Sequence, residues 1–264
     1  MSLGLQSVQT PVLHVLGRGH DEAEARQALE RVAGAGFHSF SADLIFGTPG
    51  QTLKAMMDDV TAVGSVAPHV SAYCLTWEAG TAFDRMRLRG KLQPISTDEE
   101  ADRYDAVRDG LRALGFGQYE ISSHARQGHS AVHNRRYWAG LPTLGLGPSA
   151  VSFLRFEHGS ARRFRVKPDL DAYLRGERVL VDEEPYDATA ALMDRVFTGL
   201  RDLEHGVNLP VLEQEHGATL PAHVEESLRK DLQRNNVECV GERHYRLTRS
   251  GVLFADRVMA GVLG

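Results

Sequence analysis

Cysteine is scarce: the 264 residues hold two, Cys74 and Cys239. Two distant thiols supply neither a disulfide framework nor a thiolate cluster at metal-ligand spacing, so both read as packing residues. Long hydrophobic runs are missing as well. No stretch approaches the roughly 18 apolar residues of a transmembrane helix, which argues against stable membrane insertion. The opening Met1-Ser2-Leu3-Gly4 has no basic region leading into a hydrophobic one, so no signal peptide is read and a cytoplasmic location is the expectation. Nor is there an excess of positive charge: 30 Lys and Arg stand against 35 Asp and Glu, a net charge of -5. That balance argues against a chain that coats nucleic acid. What remains is ordinary globular composition, 42% hydrophobic and 25% charged, long enough for one large domain or two smaller ones.

The most informative stretch is 39–52, Ser-Phe-Ser-Ala-Asp-Leu-Ile-Phe-Gly-Thr-Pro-Gly-Gln-Thr. An apolar run over 40–46 carries Asp43 in its middle and breaks at Gly47, Pro49 and Gly50. This is the pattern of a buried parallel strand, a tight turn and a returning helix. Ligands of parallel α/β folds sit at the carboxyl ends of the strands, and a carboxylate there needs a partner. Asp43 is therefore either a ligand contact or half of an ion pair with a nearby Arg.

Around that stretch, strand and helix alternate: a strand over 2–8, a helix from Asp21, a helix over 53–63 and a strand over 70–76. These are βα units with parallel strands, too few to close a barrel. Thr97, with Glu100, is expected to cap the next helix, running to Leu114. A short strand is expected over 119–122. Residues 124–138 read as a loop dense in His, Asn and aromatics, a type usually functional. Within it His124 and His129 read as solvated. The expected division is 1–160 for the α/β part, 161–186 as a linker and 187–264 as a small lobe of helices and a hairpin through Gly241. Thr248 is expected to cap the last helix.

Several segments together resemble one family. Leu3-Gly4-Leu5-Gln6-Ser7, Leu16-Gly17-Arg18-Gly19-His20 and Asp43-Leu44-Ile45-Phe46-Gly47-Thr48-Pro49-Gly50 resemble radical SAM proteins related to oxygen-independent coproporphyrinogen III oxidase. Gln118-Tyr119-Glu120-Ile121-Ser122, His133-Asn134-Arg135-Arg136-Tyr137-Trp138 and Gly145-Leu146-Gly147-Pro148-Ser149-Ala150 are similar to its HemW-type heme-chaperone branch. Val151 departs from that branch, which usually carries His there. The resemblance implies a partial radical SAM (β/α) barrel with a small, helical, winged-helix-like C-terminal domain. It implies S-adenosylmethionine and a 4Fe-4S cluster as the cofactors of the complete family member. Carried over by motif, Gln6, Arg18 and Asp43 would contact S-adenosylmethionine, and Ile45 would wall its adenine.

The family's Cys-x3-Cys-x2-Cys motif is not in this sequence, so an N-terminally truncated member is read, with no cluster expected in this chain and no radical chemistry by it alone. Heme or a porphyrin is the implied ligand, with a heme-accepting protein as a further partner. His133, Tyr137 and Trp138 are the candidates to face it, against a plain reading in which His133 bonds a backbone carbonyl and the aromatics pack. Oxidative decarboxylation of coproporphyrinogen, or an inert remnant, are the alternatives.

Overall fold

The computed structural model describes residues 1–177 and 179–264. Two compact units, Met1–Ala131 and Val132–Gly264, divide the chain.

The first unit is a five-stranded sheet with helices on one face. In chain order it runs β1 (Ser2–Gln6), α1 (Thr10–Val15), α2 (Glu22–Gly34), β2 (Ser41–Phe46), α3 (Leu53–Gly64), β3 (His69–Cys74), α4 (Ala82–Leu88), α5 (Thr97–Ala113), β4 (Gly117–Gln118) and β5 (Ser123–Ala125). The strand order is β1-β2-β3-β5-β4. The βα alternation makes β1, β2 and β3 parallel, while β5 and β4 add on antiparallel. The architecture is mixed α/β, and the sheet of the described residues is open.

Helix starts follow local chemistry. Asp21 and Glu24 form a reciprocal capping box on α2, and Thr52 accepts the Ala55 N–H on α3, each satisfying an orphan donor. On α5 the cap is Ser96, which accepts the Glu99 N–H, and Thr97 is already helical; the expectation there was one residue late. Strand β2 alternates half-buried and buried residues. Ala42, Leu44 and Phe46 enter a core with Leu29, Met56, Val60, Val107 and Leu111, leaving Ser41, Asp43 and Ile45 on the other face.

The expected strand over 119–122 is a turn, with β4 and β5 on either side. It is closed by Gln118 Nε2 donating to the Ile121 carbonyl at 3.0 Å. His124 is not solvated: it lies in β5 and is 2% exposed, because its side chain points to the helix side while Ser123 and Ala125 take the other face. Strand β1 stops at Gln6, short of Val8, where φ turns to +65°.

The second unit holds α6 (Val132–Trp138), β6 (Val151–Arg155), β7 (Ala161–Val166), α7 (Leu170–Leu174), β8 (Leu180–Tyr186), α8 (Ala188–Gly199), β9 (Val207–Asn208), α9 (Leu209–His216), α10 (Ala222–Gln233), β10 (Val237–Gly241), β11 (His244–Leu247) and α11 (Ala255–Leu263). Its two antiparallel sheets are β6-β7-β8 and β10-β11-β9. Residues 161–186, expected as a linker, thus carry two strands and α7. Residues 132–138, read as loop, are helical.

Thr248 Oγ1 accepts the Gly251 N–H at 2.9 Å and opens a 3-10 turn, Gly251–Phe254, ahead of α11. Cys239 is exposed on β10 rather than packed, and Cys74 is half-buried at the end of β3. No helix among the described residues is long and apolar enough to cross a membrane.

Candidate functional site

The polar face of the first sheet gathers side chains from three parallel strands. In register, Gly4 pairs with Asp43 and Asp43 with Ser71, while Ser41 pairs with His69 and Ile45 with Tyr73. Residues paired in this way point to the same face. The Ser2 hydroxyl donates to both Asp43 carboxylate oxygens, at 3.0 and 2.9 Å, and the Ser41 hydroxyl reaches Oδ1 at 3.3 Å. Of the two alternatives read for Asp43, the ion pair with a nearby Arg is not formed among the described residues, and Arg18 is exposed.

A hydrogen-bonded chain continues from Ser41. His69 Nδ1 lies 2.8 Å from Ser41 Oγ, and His69 Nε2 lies 2.8 Å from the Tyr119 hydroxyl. The Ala131 N–H donates to that hydroxyl at 3.2 Å. A ring protonated on Nδ1 would donate to Ser41, whose own proton would then serve the Asp43 carboxylate. Burial pushes the His69 imidazole down to about 4, against the pull of Asp43. The ring is therefore neutral near pH 7 and acts as a dipole between Ser41 and Tyr119.

Gln6 stands at a β-bulge between Gly4 and the next pairing. Its left-handed backbone is uncommon for a residue with a side chain. The amide folds over Gly4, where a Cβ would sit 2.8 Å from Gln6 Nε2. The Gln6 carbonyl oxygen, Oε1, is buried with no hydrogen-bond partner among the described residues. An orphaned buried acceptor beside a glycine is an arrangement that a ligand donor would complete.

The strand ends are tied by a residue that sequence reasoning passed over. Asp59 on α3 is 2% exposed. Its Oδ1 accepts the Val8 N–H at 2.7 Å, and its Oδ2 accepts the Ser7 hydroxyl at 2.8 Å and Gln51 Nε2 at 3.4 Å. Gln51 in turn accepts the Gly47 N–H at 3.1 Å. One carboxylate thus holds the exits of both β1 and β2. Desolvation raises Asp59 to about 6 despite these donors.

Of the seven residues singled out in the sequence, Gln6, Asp43 and Ile45 share this region and Arg18 has no bond to it. His133, Tyr137 and Trp138 belong to α6 in the second unit. The His133 and Tyr137 rings, one helical turn apart, meet edge to face at 4.8 Å, and both are exposed. Tyr137 and Trp138 line a cavity of about 350 Å³ with Phe153, Arg163 and Asp194. The Arg201 guanidinium lies 4.7 Å over the Trp138 ring, and the indole Nε1 is buried without a partner among the described residues. His69, Ser41 and Tyr119 were missed; the alternation Ser41-x-Asp43-x-Ile45 beside His69-x-Ser71-x-Tyr73 was the available signal.

Among the described residues, no three His, Cys, Asp or Glu side chains come together as metal ligands. Cys74 and Cys239 lie in different units, so the residues present do not fit an iron–sulfur cluster.

Comparison with known proteins adds a second line. No family model matches the sequence. The heme chaperone HemW of Bacillus subtilis is 30% identical over 272 residues, covering 100% of this chain and 69% of that protein. HemW of Mycobacterium tuberculosis is 39% identical over 168 residues, 63% of this chain and 42% of the relative. Among solved structures, coproporphyrinogen III oxidase (HemN) from Escherichia coli, described as a radical SAM enzyme, superposes with a TM-score of 0.78 over 99% of this chain and 63% of its own, at 18% identity. That likeness concerns the fold. The chain spans only part of each relative's length.

Proposed function

The chain belongs to the HemW heme-chaperone family of coproporphyrinogen-oxidase-like radical SAM proteins, and from that premise we propose that it binds heme or a porphyrin and carries part of a cradle for S-adenosylmethionine. On this reading β1 to β3 are part of a radical SAM (β/α) barrel, and α8 to α11 with the small sheet are a winged-helix-like companion. The observation that carries the cradle is the unpartnered Gln6 carbonyl oxygen beside Gly4. It would accept from the amino group of the methionine moiety. Asp43 would accept from ribose hydroxyls in place of Ser2, and Ile45 would lie against adenine. Arg18 is exposed and free to fork onto the methionine carboxylate. S-adenosylmethionine would supply a sulfonium whose reductive cleavage is the family's radical chemistry.

Heme is the cargo. His133 is exposed with its ring braced by Tyr137, and a neutral imidazole is an iron ligand. Delivery to an accepting protein and action in the cytoplasm complete the reading. Two titrations of the 264-residue chain test it. Hemin should give a Soret shift that His133→Ala abolishes; no shift at micromolar hemin ends the heme reading. Equilibrium dialysis should show S-adenosylmethionine retained by the chain and weakened at least tenfold by Asp43→Asn; equal retention by both proteins ends the cradle.

A further inference from the structure

The second unit contains a cavity of about 590 Å³ to which none of His133, Tyr137 and Trp138 contributes a wall. That volume is in the range of small-molecule sites. Two guanidiniums face it, Arg155 at the end of β6 and Arg195 on α8. Arg155 is half-buried, and its guanidinium enters no ion pair or hydrogen bond among the described residues.

Arg195 runs through a gap that two glycines leave open. A Cβ on Gly140 would sit 2.7 Å from its Cδ, and one on Gly199 would sit 2.2 Å from its Nη1. Its hydrogen bond is a donation from Nη1 to the Trp138 carbonyl at 2.8 Å. Each guanidinium has five N–H donors, so most of the capacity of both is unspent.

One acid shares the cavity wall with this pair. Glu215 is the acid that lines the cavity, and it is exposed. Asp202 nearby is engaged with His205 Nδ1 at 3.0 Å, and His244 Nε2 is spent on the His205 carbonyl at 2.6 Å. Burial lowers the Arg195 pKa from its usual value, and the positive charge of Arg155 adds to that, with Glu215 and Asp202 opposing. Two arginines and one carboxylate therefore line the cavity. The rest of the wall includes Leu141, Val211 and Leu212.

We propose that this cavity binds an organic carboxylate with an apolar body, its carboxylate held between Arg155 and Arg195 and its body against Leu141, Val211 and Leu212. Planar guanidiniums match a carboxylate through paired N–H donors. The apolar wall and the volume favour an organic anion over a bare inorganic one. The proposal is independent of the heme reading.

Isothermal titration of the full chain with decanoate tests it, with decanol as the same body lacking the charge and inorganic phosphate as charge lacking the body. Decanoate should bind, and decanol and phosphate should bind at least tenfold more weakly. Arg155→Ala should weaken decanoate at least tenfold, with Arg155→Lys in between. Glu215→Gln, at an exposed position, should tighten it severalfold and keeps the test open if Arg155→Ala misfolds. Decanol equal to decanoate, phosphate equal to decanoate, or indifference to both Arg155→Ala and Glu215→Gln would each overturn the proposal.

Discussion

Asp59 and His69 are two buried titratable groups of the first unit, and burial moves them in opposite senses. Asp59 is raised from 3.8 to about 6. The stability it contributes is complete below about pH 4 and is lost as pH rises through about 6. His69 is lowered from 6.5 to about 4. Its contribution is complete above about pH 6.5 and is lost as pH falls through about 4. Each shift corresponds to about 3 kcal/mol at 1.36 kcal/mol per pKa unit, so in the native chain they largely offset. Single substitutions should expose them. Relative to the native protein, Asp59→Asn should lose about 3 kcal/mol more between pH 6.5 and 4, and His69→Gln should gain a similar amount, measured as urea unfolding free energies across that range. Parallel profiles for all three proteins would remove the argument. At this scale Asp43 and Ile45 were readable because a two-residue alternation marks a strand face. Asp59 was hidden because Asp58 beside it is a solvent-facing acid paired to Lys54, and the two look alike in sequence. His69 and Tyr119 were hidden because they meet across 50 residues, through a strand register that no local pattern encodes.

Elements meet through glycines in two physically different ways. Helices α3 and α5 approach at Gly110, where a Cβ would sit 2.5 Å from Met57 Cε, the free end of a flexible side chain. The turn before α11 approaches at Gly251, where a Cβ would sit 1.7 Å from the Asn236 carbonyl oxygen, which is backbone. Gly110→Ala should change stability by no more than about 1 kcal/mol, since helix propensity gains what Met57 repacking loses. Gly251→Ala has no such outlet and should cost about 3 kcal/mol. Thermal unfolding of the two variants checks the contrast; similar losses at both sites would contradict it. Elements with a cap and a periodic apolar face, such as α2 and α3, were legible in sequence. Helix α6 was not, because it has no buried residue and hence no apolar period to read. Strands β4 and β5 span two and three residues, too short for alternation to register.

At the scale of the whole molecule, each unit has its own core. The cluster holding Leu5, Leu44, Met56, Val70 and Leu111 lies wholly within Met1–Ala131. Leu192, Leu200, Leu209, Leu228, Val258 and Met259 are buried within Val132–Gly264. The sequence division placed the small lobe later, from 187, just after a cluster of acids and Pro185. That cluster instead falls on β8, an outer strand of its sheet, where proline and charge are tolerated. Separate cores are a basis for separate cooperative transitions. Calorimetry of the full chain should therefore resolve two endotherms. Gly251→Ala should lower only one of them. Asp59→Asn should shift only the other, by an amount that changes with pH between about 4 and 6. A single endotherm moved by both substitutions would mean that the two halves unfold as one body.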